Sequence, residues 1–96
     1  MLVKLTEVCN NGAVTTNKHY SLREIFVNPE HVVMIREEKR MKELNERGKV
    51  AANLDGAHQF SKLTINRGQS GTEIIVVGAP EIIENTLNKG KQLLRG

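Results

Sequence analysis

The side chains with reactive chemistry are few and widely spaced in this sequence. Cys9 is the one cysteine, and the histidines are His19, His31 and His58. A zinc site needs several nitrogen or sulfur ligands at short, recurring spacings, and these residues have no such spacing. A nucleophilic thiol needs an activating base beside it, and the order of residues pairs Cys9 with none. We therefore expect no metal site, no cofactor and no catalytic residue.

Three further patterns could indicate a site of chemistry. Asp55 is the one aspartate, so no Ser-His-Asp arrangement can be argued. Glu37 and Glu38 lie in a mixed charge run that is typical of a solvated surface. Residues 67–71, Arg-Gly-Gln-Ser-Gly, could hold a phosphate through backbone amides. They lack the Gly-Lys-Ser/Thr ending of a P-loop and lead into no helix, so a hairpin turn is the favoured interpretation.

Positive charge is concentrated in one segment that could contact a partner. The cations of this segment are Arg36, Lys39, Arg40, Lys42 and Arg47. Four glutamates are interleaved with them and cancel most of the field. Only Tyr20, Phe26 and Phe60 are aromatic, so a platform for stacking bases is missing. Nucleic-acid binding is therefore a weakly supported alternative.

The elements that must position these residues begin with short strands. Alternation of apolar and polar residues predicts a first strand over residues 2–8. Asn11-Gly12 then signals a hairpin, with a return strand over residues 13–16. The stretch 23–38 predicts two apolar strands folded about residues 28–31, where Pro29 fixes the backbone of a turn. We expect this pair at the centre of the sheet.

A charged excursion separates the first strands from the last ones. Residues 36–59 are rich in charge and in helix formers, and only Met41 and Leu44 give the helical part an apolar side. So narrow an apolar side predicts weak docking. We therefore expect a short exposed helix or a mobile arm that contributes little to the core and carries function.

The C-terminal part of the chain predicts a hairpin and a covering helix. Residues 60–66 alternate as a strand, and the continuous apolar run 72–77 predicts a central strand covered on both faces. Pro80 suits the first turn of a helix over residues 80–95. The face of this helix expected to cover the sheet carries Ile82, Ile83 and Leu87.

Length and composition set the class of the protein. The 96 residues suffice for one domain, and 39% of them are hydrophobic. The fold class predicted is α+β: a small antiparallel sheet of about five strands, a C-terminal helix and the charged excursion. A single cysteine excludes an internal disulfide and suits the cytoplasm. No apolar run approaches the roughly 20 residues of a membrane helix, so we expect no membrane partner.

Several short motifs resemble those of the FlbD family, small proteins named for association with flagellar genes. The matching residues are Lys4-Leu5-Thr6, Ile25-Phe26-Val27-Asn28-Pro29, His31-Val32, Ile35, Glu37, Lys62-Leu63-Thr64, Ile74-Ile75-Val76-Val77 and Pro80-Glu81-Ile82-Ile83-Glu84. The resemblance as a whole covers about two-thirds of the chain. The resemblance implies a compact β-rich domain with a C-terminal helix that acts by binding.

Two functional hypotheses follow. The first is a non-enzymatic regulatory or interaction module, forming a homo-oligomer through exposed strand edges. The second is a pocket between protomers that binds an anionic small molecule such as a nucleotide, because guanidinium groups match phosphate geometry. The residues expected to bind the ligand or partner are Arg23, Arg36, Lys39, Arg40, Arg47 and Arg67.

Overall fold

The computed structural model describes residues 2–10, 20–47, 58–68 and 70–95. Side chains are described throughout these ranges except at Asn10, Arg67, Ser70 and residues 90–95. The elements run in the order β1 (Val3–Asn10), β2 (Tyr20–Val27), a 3-10 helix (Pro29–His31), β3 (Val32–Glu37), α1 (Lys39–Glu46), β4 (Phe60–Arg67), β5 (Ser70–Val77) and α2 (Pro80–Arg95). The return strand predicted over residues 13–16 lies outside the described residues.

The five strands form one antiparallel sheet in the order β2-β1-β5-β4-β3. The predicted fold class is therefore confirmed, and β5 is central as its apolar run predicted. The predicted central pair is wrong, however. The two strands that flank Pro29 do form, but β2 pairs with β1 and β3 pairs with β4, so both lie at edges of the sheet. The turn between them is a 3-10 helix, in which the Asn28 side chain accepts a hydrogen bond from the Glu30 backbone N–H at 3.0 Å.

The sheet is strongly curled. Five flat strands would hold β2 and β3 about 19 Å apart, whereas the three-residue helix that links them rises about 6 Å. The two edges must therefore approach each other. Consistent with this, Ile25 and Val27 of β2 and Val32 and Ile35 of β3 pack on the same apolar cluster.

The concave face of the sheet carries the larger part of the core, which α2 covers. Leu63 and Val76 are fully buried there, and the α2 residues Ile83 and Leu87 are only 3% and 4% exposed. The cluster is completed by Val3, Leu5, Val27 and Ile74. Ile82 is the exception to the predicted helix face, because it is 61% exposed and points away from the sheet.

The convex face carries a second cluster, which α1 covers. Met41 is 5% exposed and packs with Val8 and Phe60, and Leu44 contacts the same cluster. The expectation that the excursion contributes little to the core is therefore wrong for its first part. Its predicted start is also wrong, because Arg36 and Glu37 belong to β3. Residues 48–57 lie outside the described residues.

The junction between β5 and α2 is organised by Gly78. Its φ of 130° is a conformation that side chains other than glycine rarely adopt. Its N–H donates to the carbonyl of Gln59 at 2.7 Å, and its carbonyl accepts from the buried Ser61 hydroxyl at 2.7 Å. These bonds fix where α2 leaves the sheet. Within the described ranges, neither helix has the length and apolar character needed to cross a membrane.

Candidate functional site

The free edge of β2 is the first feature of the candidate site. β2 pairs with β1 without interruption from Val3–Val27 to Asn10–Tyr20. Among the described residues no strand pairs with its other edge. An unpaired strand of this length presents a row of backbone N–H and C=O groups that can pair with another chain. Phe26, which lies on this strand, is 58% exposed.

The other edge of the sheet differs from β2 in ways that protect it. β3 is shorter, and its register shifts between Val32 and Met34, so that Val33 is an extra residue opposite β4. Bulges of this kind twist an edge strand and disfavour further pairing. The charged residues Arg36 and Glu37 end the strand. Of the two edges, β2 is therefore the better template for strand addition.

A cleft of about 420 Å³ opens beside β2 on the concave face, where α2 does not reach. Its apolar lining is Leu2, Ile25, Phe26, Val27, Ile65 and Ile74. Its polar lining includes Glu7, Arg23, Asn28, His31 and Thr72. An apolar cleft with a few polar groups is the usual form of a binding site. Here it lies next to backbone groups that are also available for pairing.

Arg23 is the one predicted binding residue that lines this cleft. Its Nε lies 3.0 Å from Glu7 Oε1, on the neighbouring strand β1. The Glu7 side chain is only 12% exposed, whereas the Arg23 side chain is 69% exposed. The hydrogen bond from Arg23 to Glu7 raises the pKa of the guanidinium, so it stays charged. The charge of the pair is balanced, and the outer nitrogens of Arg23 face solvent.

Cys9 lies on the same face of β1, two residues from Glu7. Partial burial raises the pKa of its thiol, and the negative charge of Glu7 and a hydrogen bond with it act in the same direction. Arg23 opposes these effects but does not reverse them. A raised pKa keeps the thiol protonated and makes it a poor nucleophile at neutral pH.

The other predicted binding residues lie elsewhere. Arg36 projects from the convex face of β3, where its Nη2 lies 3.0 Å from Met34 Sδ. Lys39 and Arg40 occupy the first turn of α1, and Arg47 ends this helix. The structure thus separates Arg23 from these cations, which belong to the opposite edge of the sheet and to α1. The Arg67 side chain lies outside the described residues.

Sequence reasoning missed Glu7, Lys62 and Phe26 as members of surface sites. In the sequence Lys62 is simply part of the strand predicted over residues 60–66. The register of β3 on β4 places it directly opposite Arg36, and no sequence pattern contains that pairing. The role of Glu7 likewise depends on the register of β1 and β2, which places its carboxylate beside Arg23.

Comparison with known proteins gives no family for the chain. No family model, no curated protein and no solved structure matches it. The resemblance to the FlbD family therefore stays a prediction. Among the side chains that the structure describes, no group of three or more His, Cys, Asp or Glu is placed to hold a metal ion.

Proposed function

We propose that this protein is a non-enzymatic interaction module that binds by strand addition along the free edge of β2. The observation that carries the proposal is the position of this regular edge, which pairs with no other described strand, beside a cleft with an apolar lining. Backbone hydrogen bonds supply affinity in this mode of recognition, and pockets for alternate side chains supply specificity. The ion pair of Arg23 with Glu7 and the protonated Cys9 supply no acid, base or nucleophile for catalysis.

We further propose that a second copy of the chain supplies the added strand. A two-fold axis perpendicular to the sheet pairs two β2 strands antiparallel and keeps each face continuous. Two residues that lie opposite each other across the paired strands must then point to the same face of the sheet, since side chains alternate along a strand. The sequence of β2 favours an axis through Glu24, because this register sets the half-buried Leu22 opposite the partner copy's exposed Phe26 on the convex face.

Charge is compatible with the same register. Each Glu24 already has a cation beside it, since Lys4 Nζ lies 3.7 Å from its Oε1. The two carboxylates that face each other at the axis are therefore flanked by two ammonium groups. Like charges directly opposite each other weaken a sheet, and an axis through Arg23 would also place such a pair at the axis. That axis would in addition set Leu22 opposite a glutamate of the other copy, so the pairing of Leu22 with Phe26 favours the axis through Glu24.

The proposal is tested by sedimentation equilibrium over a range of protein concentrations. We expect reversible association of the wild-type chain to a dimer. Phe26→Glu should remain monomeric, because the new charge would face Leu22 and Glu24 of the other copy. Within its own chain residue 26 is opposite Lys4, so the new carboxylate has a favourable neighbour and the fold is retained.

The matched control is Val33→Glu. Val33 is 60% exposed and lies on the other edge strand, and Phe26 is 58% exposed. The two substitutions thus remove similar amounts of exposed apolar surface. We expect Val33→Glu to dimerise like the wild type. A wild-type chain that stays monomeric at the highest concentration, or equal loss of association in both variants, contradicts the proposal.

A further inference from the structure

A second hollow lies on the convex face, between α1 and the sheet, and has a volume of about 360 Å³. Its apolar and aromatic lining comes from Val8, Tyr20, Met41 and Ile75. Its charged lining comes from Glu38, Arg40 and Lys62. This hollow is distinct from the cleft beside β2, which opens on the concave face. It combines a surface for an apolar body with cations for a charged group.

The cations around this hollow lie close together, although like charges repel each other. Arg36 lies directly opposite Lys62 across β3 and β4, so their side chains share the convex face. Like charges in such a pair destabilise a sheet. The first turn of α1 adds Lys39 and Arg40 and contains no acidic residue, although the positive end of a helix favours negative charge. A bound anion would relieve both unfavourable arrangements.

Nearby carboxylates do not balance this charge. Glu38 pairs with Lys62, with an Nζ–Oε2 distance of 3.3 Å, and its side chain is 14% exposed. Neither Arg36 nor Arg40 forms an ion pair with any residue that the structure describes. Glu37 follows Arg36 on β3 but is opposite Ser61, and therefore points to the concave face. Among the described residues, the guanidinium groups of Arg36 and Arg40 therefore have no carboxylate partner.

We propose that this hollow binds a small phosphomonoester with a flat apolar body, of the class of a nucleoside monophosphate. The guanidinium fork of Arg40 and the remaining donors of Lys62 would hold the phosphate. Tyr20 and Ile75, two half-buried residues of the lining, would contact the ring system. The volume lies in the range of pockets for small ligands. The site is built within one chain, unlike a pocket formed between protomers.

This inference does not rest on strand addition at β2. The dimer uses the free edge of β2, whereas the hollow is lined from the convex face by residues of several strands and α1. Phe26→Glu, which should abolish dimerisation, should leave ligand binding unchanged. The two proposals can therefore fail separately.

The test uses adenosine 5′-monophosphate, adenosine and inorganic phosphate as probes of the full chain. Tyr20 is the one tyrosine, so its ring signals in the NMR spectrum report directly on the hollow. We expect adenosine 5′-monophosphate to shift these signals in a saturable way. Adenosine should bind at least about tenfold more weakly, because it lacks the charge-assisted bonds of the phosphate. Rising salt should weaken the binding of the monophosphate.

Three variants make the assignment specific. Arg40→Gln should weaken binding of the monophosphate about tenfold, and Glu38→Gln should strengthen it severalfold by freeing Lys62 from its competing carboxylate. Arg47→Gln is the control, because Arg47 ends α1 and does not line the hollow. No saturable shift of Tyr20, equal effects of Arg40→Gln and Arg47→Gln, or tighter binding of a single-stranded oligonucleotide would overturn the proposal.

Discussion

Arg23 and Glu7 form an ion pair across β1 and β2 in which the carboxylate is far more buried than the guanidinium, at 12% and 69% exposure. Removing the arginine would leave a partly desolvated carboxylate without its cation, which costs more than losing a surface pair. We expect Arg23→Ala to lower the thermal midpoint clearly. Lys4→Ala is the control, because Lys4 and Glu24 are both mostly exposed. Equal midpoints for the two variants would show that burial of Glu7 has no energetic effect.

The same pair controls the reactivity of Cys9. Burial raises the pKa of its thiol, and Glu7 raises it further, while Arg23 lowers it. The thiolate fraction at pH 8 is therefore smaller than in the denatured chain, and the folded protein should react more slowly with a thiol reagent. Glu7→Gln should speed the reaction at fixed pH, and Arg23→Ala should slow it. Rates measured against pH test both expectations, and a slower reaction of Glu7→Gln or a faster reaction of Arg23→Ala would refute the assignment.

The packing of α1 predicts that the excursion is not dispensable as a whole. Met41 is 5% exposed against Val8 and Phe60. Met41→Ala should lower the free energy of unfolding by about 2 kcal/mol, the lower end for buried methionine. Glu43→Ala, on an exposed position of the same helix, should change it by less than about 0.5 kcal/mol. Chemical denaturation measures both, and a neutral Met41→Ala would mean that α1 does not dock.

The conformation of Gly78 predicts a costly substitution. A Cβ atom at this position would lie 3.0 Å from Ile83 Cδ1, and the φ of 130° is unfavourable for alanine. We expect Gly78→Ala to cost about 1–3 kcal/mol. Gly68 also has a positive φ, of 75°, but a Cβ there would meet no described atom within 4 Å. A loss for Gly68→Ala as large as that for Gly78→Ala would rule out the contact with Ile83 as a cause.

Local patterns in the sequence predicted most strands, the central position of β5 and the helix that begins at Pro80. They did not predict which strands pair. The turn at Pro29 looked like the centre of a hairpin, yet it joins the two edges of a curled sheet. Curling depends on contacts between residues that are distant in the sequence: Ile25 and Val32 both pack on the cluster that contains Leu63 and Ile74. A short-range pattern cannot contain such contacts.

The same limit applied to the candidate sites. Positive charge could be counted along the chain, and Arg23, Arg36 and Arg40 were all predicted as ligand-binding residues. The placement of Arg23 and Arg36 on opposite faces depends on strand register, and that of Arg40 depends on the docking of α1 through Met41. The part played by Lys62 depends on the same register. The burial of Met41 was missed because the apolar side of α1 is narrow. Such a side still docks well when the sheet residues that face it, here Val8 and Phe60, are themselves apolar and buried.

The central claim is that two copies pair antiparallel along β2 about an axis through Glu24. Disulfide trapping tests it most directly. In a Cys9→Ser background, a cysteine at position 24 would face its own copy across the axis, within the separation that a disulfide allows. Val33→Cys in the same background is the control on the other edge. We predict rapid covalent dimerisation of Glu24→Cys under mild oxidation and slow, concentration-limited dimerisation of Val33→Cys. Equal rates for these two variants, or faster trapping of Arg23→Cys than of Glu24→Cys, would contradict the account.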